Sequence, residues 1–137
     1  MAEPDLRVPG GMRLVAVGLL LLAMMLAGCS LQLTLAVGTW EWWTWAGFAA
    51  WLTLGASQVG AAYALYEGEP LGAIGGALIG VFAGFALIGW CVLLFFAGLV
   101  TPLVFLTGAW EIVGGLLAAM CIPASRRLRA ARATLET

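Results

Sequence analysis

Apolar residues fill this chain in long blocks, broken by short interruptions at residues 39–44, 67–70 and 98–102. The last two blocks nearly merge: residues 71–122 form an almost unbroken apolar stretch with one charge, Glu111. About 20 apolar residues cross the hydrocarbon of a bilayer, so that stretch is too long for one crossing. The pattern therefore predicts an all-α, polytopic membrane protein of four transmembrane helices, over residues 14–38, 45–66, 71–97 and 103–122. Gly68 and Pro70 in the second interruption form a helix stop. Gly98 marks the next break, Thr101 is placed to cap the fourth helix, and Pro102 suits its first position. The third block exceeds the bilayer requirement, which predicts tilt. Outside the 14–122 helical domain, residues 1–13 hold two Pro and two Gly and read as disordered. Residues 123–137 form a basic tail ended off from the bundle by Pro123. Leu128 and Leu135 within it predict a helix lying on the membrane surface.

Small residues sharpen the third block. Gly72, Gly76, Gly80 and Gly84 recur every four positions, which stacks them on one helix face. Faces of this kind let helix backbones approach closely in lipid. Glu111, Gly115 and Ala119 have the same spacing in the fourth block, so the third and fourth helices are expected to pack as a tight hairpin. The glycine face serves packing, either inside the bundle or between protomers. A phosphate loop is excluded, because it needs a strand, a loop and a Lys.

Charge sets the orientation. Only 9% of the 137 residues are charged, against about 25% in soluble domains. All six basic residues are Arg and sit at the two ends: Arg7, Arg13, Arg126, Arg127, Arg129 and Arg132. Basic residues accumulate on the cytoplasmic side, so both termini are expected there. The turn at Glu67 and Glu69 is then cytoplasmic too, and the turn near Glu41 external. Absence of Lys and Asn beside abundant Ala, Gly and Arg suggests a GC-rich bacterium and hence its cytoplasmic (inner) membrane. The lipid bilayer is the expected environment, and nothing in the charge pattern points to nucleic acid.

Trp40, Trp42, Trp43 and Trp45 crowd the first interruption. Indoles favour the membrane interface, so these read as an interfacial aromatic belt. Their second reading is a docking surface for lipid, quinone or another protein. At the other end of the first block, Leu26-Ala27-Gly28-Cys29 has the form of a lipoprotein cleavage motif, with Arg7 and Arg13 before an apolar core. This makes Cys29 a candidate for lipidation. The competing reading places the motif inside the first span, because the chain stays apolar through Val37. Cys29, Cys91 and Cys121 are otherwise read as buried small hydrophobes.

Chemistry has few candidates. There is no His, which removes the commonest metal ligand and general base. The cysteines form no CxxC pattern, so neither a metal site nor a cofactor is expected. Glu111 near the middle of the fourth span is the sharpest candidate, since intramembrane acids face protein interiors and often mark proton or cation paths. Trp110 beside it could wall a cation, and Gln58 or Thr53 could accept a hydrogen bond from the neutral acid. No intramembrane Arg or Lys exists to pair with it.

The run TWEWWTWAGFAAWLTLGASQVGAAYALYEGEPLGAIGGALIG resembles small uncharacterised four-helix membrane proteins of high-GC bacteria. These share a Trp-rich entry, a Gly/Ala hairpin and a short polar turn. The resemblance implies the four-helix fold and no activity. It departs at the turn, where Glu67 and Glu69 stand in place of a basic residue. A glycine-rich helix before an acid-bearing one also has a distant look of rotary-ring proteolipids, without their Arg-containing loop. The reading that follows is a non-catalytic subunit or scaffold, as a homo-oligomer or within a larger membrane complex. The alternative is an oligomeric proton- or cation-coupled transporter or channel subunit using Glu111.

Overall fold

The computed structural model describes residues 6–38 and 41–136 of the protein. The described residues form five α-helices and no strand: α1 (Gly10–Val37), α2 (Trp42–Tyr66), α3 (Pro70–Phe96), α4 (Pro102–Met120) and α5 (Ile122–Glu136). Each of the first four packs on the next, and α4 returns to α1, closing a four-helix ring. The connections are too short for anything but antiparallel neighbours.

Three helical segments are long and apolar enough to cross a membrane: Gly10–Leu35, Pro70–Phe96, and the run Pro102–Glu136 through α4 and α5. Helix α2 has comparable length at 25 residues and no charge. Its Trp, Tyr and Gln side chains leave it less apolar than the others. Along the glycine-bearing stretch of α3, small residues face inward and large ones outward. Inside lie Gly72, Ala73, Gly76, Gly80, Ala83 and Gly84 of α3, while Leu78, Phe82 and Phe85 of the same helix point outward. Lipid does not penalise exposed Leu or Phe, so small residues are free to take the interior, where they let backbones come close.

The glycine face lies wholly inside the fold. A Cβ on Gly80 would meet the backbone of Glu111 and Gly115 at 2.8 Å. One on Gly84 would meet Gly108 O at 2.6 Å, one on Gly76 would meet Leu19 Cδ1 at 2.8 Å, and one on Gly72 would strike the α2 backbone around Leu65. The α3–α4 hairpin is thus as tight as its spacing predicts, and the choice between bundle and protomer contact falls on the bundle. On α4 the facing residues are Gly108, Ile112 and Gly115, with the Glu111 main chain between them. Ala119 is only partly buried.

Several boundaries differ from expectation. Residues 10–13 are helical, because Met12 is buried in a core cluster with Ala16, Leu65 and Ala73. Helix α2 begins at Trp42, so Trp42, Trp43 and Trp45 lie on its first turns; Trp40 is outside the described residues. Thr101 makes no side-chain cap. Its hydroxyl donates to Cys91 Sγ at 3.5 Å. Pro123 does not end the helical run but takes the second position of α5, after a break at Cys121.

The tail does not lie free on the surface. After the break at Cys121 it continues the line of α4 and packs on the α2–α3 turn, where Leu128 and Ser125 are buried. The receiving notch is the α2–α3 turn. Gly68, at φ 82°, closes α2 with its N–H on Leu65 O at 2.9 Å, while Glu69 N–H reaches Ala64 O at 2.9 Å. This left-handed closure is one that glycine adopts without strain. A Cβ there would meet Leu128 Cδ2 at 2.5 Å. Arg132 Nη1 donates to the Glu67 carbonyl at 2.9 Å and ties α5 to the same turn.

Candidate functional site

The interior is built from two apolar clusters. One centres on Leu19, Leu65, Ala73 and Ala118, the other on Leu26, Leu87, Ala83 and Val104. Between them lies a polar layer contributed by three helices. Gln58 of α2 and Glu111 of α4 are both fully buried, and Gln58 Nε2 donates to Glu111 Oε2 at 2.7 Å. They stand 53 residues apart, on the two helices that face each other across the ring. Gly55, one turn before Gln58, faces α1, where a Cβ would sit in ordinary contact with Ala23 O at 3.6 Å.

Thr107, one turn before Glu111, extends the layer. Its hydroxyl donates to Leu103 O at 2.8 Å and accepts from Cys29 Sγ at 3.4 Å. Ser30 and Thr34 of α1 are buried too, and return their hydroxyls to α1 carbonyls at 2.6 and 2.7 Å. Hydroxyls that satisfy themselves on the helix backbone are the usual arrangement in lipid, where no water is at hand. Two oxygens in the layer have no partner among the described residues: Gln58 Oε1 and Glu111 Oε1.

Of the residues singled out around Glu111, only Gln58 meets it. Trp110 is 53% exposed and points away from the layer, as adjacent helical positions must. Thr53 is exposed and donates to Ala49 O. In its bond with Gln58 the Glu111 carboxyl accepts rather than donates. Cys29 is 2% exposed inside the bundle, and the Leu26–Cys29 motif is continuous with α1. The upstream residues Leu19, Leu22 and Leu26 are core residues.

The tryptophans take different roles. Trp42 is 81% exposed, while Trp43 donates through Nε1 to Glu41 Oε2 at 2.7 Å. Trp43 also lines a cleft of about 70 Å³ with Thr44, Phe48, Trp51 and Trp90. Thr44 Oγ1 is buried there without a partner among the described residues. Nothing in the sequence pattern marks Thr44. Four larger clefts lie along the outer faces of the helices, and neither Gln58 nor Glu111 lines any of the five. Among the described residues no three Cys, Asp or Glu side chains come together to hold a metal ion.

The site therefore belongs to the class of buried polar layers in membrane helix bundles: one acid–amide pair and one thiol–hydroxyl contact, enclosed by apolar packing. Comparison with protein families, with curated proteins and with solved structures finds no match to this chain.

Proposed function

We propose that the protein is a four-span integral membrane protein of a bacterial cytoplasmic membrane, with both termini cytoplasmic, and that it acts without catalysis as a subunit or scaffold in a homo-oligomer or larger membrane complex. The observation that carries this reading is on α2. Its outward face presents Ala49, Thr53, Ser57 and Gly60, all exposed, and a Cβ on Gly60 would meet nothing within 4 Å. These positions share one side of the helix, and small-residue faces with hydroxyls favour helix association in lipid. The glycine face of α3 is already covered, so α2 is where another helix would dock. Its lower hydropathy agrees with a helix that meets protein as well as lipid.

Catalysis has little to work with. The buried thiol of Cys29 faces a hydroxyl, not a base, and the buried acid faces an amide.

The test is cross-linking in native membranes, using Ser57→Cys on a background with Cys29→Ser, Cys91→Ala and Cys121→Ala. A bifunctional thiol reagent should give discrete higher-mass bands from Ser57→Cys. It should give none from Leu78→Cys, whose parent side chain is 68% exposed on the outer face of α3. No band from Ser57→Cys, together with a clean monomer in native mass spectrometry of membranes, overturns the reading.

The alternative is a proton- or cation-coupled subunit. The unpartnered Oε1 of Glu111 favours it, because a bound proton or small cation would supply the partner the helices do not. Proton flux into proteoliposomes that Glu111→Gln abolishes would favour this alternative over a purely structural acid.

A further inference from the structure

All six arginines gather at one end of the bundle. Val8, beside Arg7, and Arg132 of α5 both approach Gly68 of the α2–α3 turn. Arg13 stacks over the Tyr66 ring at 4.8 Å, and Arg132 is tied to Glu67 O. Arg126, Arg127 and Arg129 differ from these. All three are exposed, and no ion pair is formed by any of them among the described residues.

Their support is fixed. Leu128, between them in sequence, is buried against Gly68, and Ser125 is fully buried. An amphipathic helix normally rolls its apolar side into the bilayer. Here Leu128 of that side is docked on protein while Leu135 is exposed, so the first turns of α5, which carry the three arginines, are held against the bundle. Their depth is set by the chain: one residue, Cys121, separates α4 from α5, and Arg126 lies six residues beyond Met120. At 1.5 Å per residue that is about 9 Å along the helix from the end of α4, just past a headgroup layer about 5–8 Å deep, so a guanidinium can reach back to a phosphate. Three exposed glutamates, Glu67, Glu69 and Glu136, belong to the same end, fewer than the arginines.

We infer that Arg126, Arg127 and Arg129 form a preset docking surface for the phosphodiester headgroups of anionic phospholipid in the adjoining leaflet. Charge complementarity carries the choice of partner. Guanidinium groups grip phosphate oxygens in a bidentate fork, and juxtamembrane basic clusters attract anionic lipid. Arg126 and Arg129 lie one turn apart on the same side of α5, so one headgroup can bridge them. The inference rests on the membrane-spanning part of the proposed function and not on the scaffold role; the Ser57 cross-link and the lipid measurement can fail independently.

The test uses the full chain reconstituted in vesicles of equal phosphatidylglycerol and phosphatidylcholine, then extracted in mild detergent. Retained lipid is counted by native mass spectrometry. Phosphatidylglycerol should exceed phosphatidylcholine by at least about fivefold, the factor one arginine is worth at an anionic surface. The triple variant Arg126→Gln, Arg127→Gln, Arg129→Gln should bring the ratio close to one, and the corresponding Arg→Lys triple, which keeps the charge and loses the fork, should fall between the two. If the triple Gln variant does not reach the membrane, the three single Gln variants should each lower the ratio. Equal retention by the unmodified protein, or a preference that survives the Gln substitutions, overturns the inference. Displacement of the lipid by excess inorganic phosphate also overturns it, because the surface would then be a free-anion site.

Discussion

Glu111 and Gln58 show how much one contact can decide. In lipid an unpaired buried carboxyl has no water to fall back on, so Gln58 is worth more to Glu111 than a surface amide would be. Hydrogen bonds between membrane helices nevertheless average only about 0.6 kcal/mol, with a maximum near 1.7, because the separated helices find other partners. Gln58→Leu should therefore destabilise the bundle by about 1–2 kcal/mol, the coupling plus the cost of stranding the acid. Glu111→Gln should cost less, since an amide still accepts from Gln58 Nε2. A double-mutant cycle of Gln58→Leu and Glu111→Leu, read by denaturant titration in detergent, should give a coupling within that range. Additive losses would mean the two side chains do not support each other. The sequence offered Gln58 and Thr53 alike as partners for Glu111, with the acid as donor; the choice of Gln58, and its amide as the donor, came from the structure. That Trp110 faces away from the layer follows from the step of about 100° between neighbours on any α-helix.

At the scale of helices, the glycine face gives the sharpest contrast. Gly80 touches the α4 backbone, whereas a Cβ on Gly89 meets nothing within 4 Å. Gly80→Leu should disrupt the α3–α4 hairpin, lowering membrane abundance or thermal stability severely, because the obstruction is main chain and cannot turn aside. Gly89→Leu should behave close to the parent protein. Fluorescence-detected size exclusion of the two variants separates them, and equal tolerance would place the face toward lipid. Helix ends were less legible than helix faces. Whether Thr101 caps α4 or bonds Cys91 depends on the neighbour that α3 supplies, and the start of α1 at Gly10 depends on the pocket that takes Met12. Cys91 comes from the neighbouring helix ten residues back, and the Met12 pocket from Leu65 and Ala73, more than fifty residues on.

The whole molecule turns on whether α2 crosses the membrane. Three segments carry enough apolar length by composition alone; α2 is diluted by Trp, Tyr and Gln. Its place in the closed ring, and the docking of α5 onto the α2–α3 turn, put the start of α1, that turn and the tail at one end. Reporter fusions at Thr137 and after Glu69 should both read cytoplasmic, and one in the turn before Trp42 external. An external C-terminus would leave the chain with an odd number of crossings and remove the basis for four spans.

The sequence by itself determined the helical membrane class, the hairpin between α3 and α4, and the single intramembrane acid. Those rest on local rules: apolar length against bilayer thickness, a four-residue repeat on one helix face, and the rarity of charge in hydrocarbon. Only the tertiary structure decided what each small or polar face touches. It turned the glycine face inward onto α4, chose Gln58 over Thr53 as the partner of Glu111, set Cys29 against Thr107, and folded the basic tail onto Gly68. In lipid the outside of a helix is no less apolar than the inside, so hydropathy does not distinguish the two. The choice falls to backbone approach and to buried hydrogen bonds, which join residues far apart along the chain.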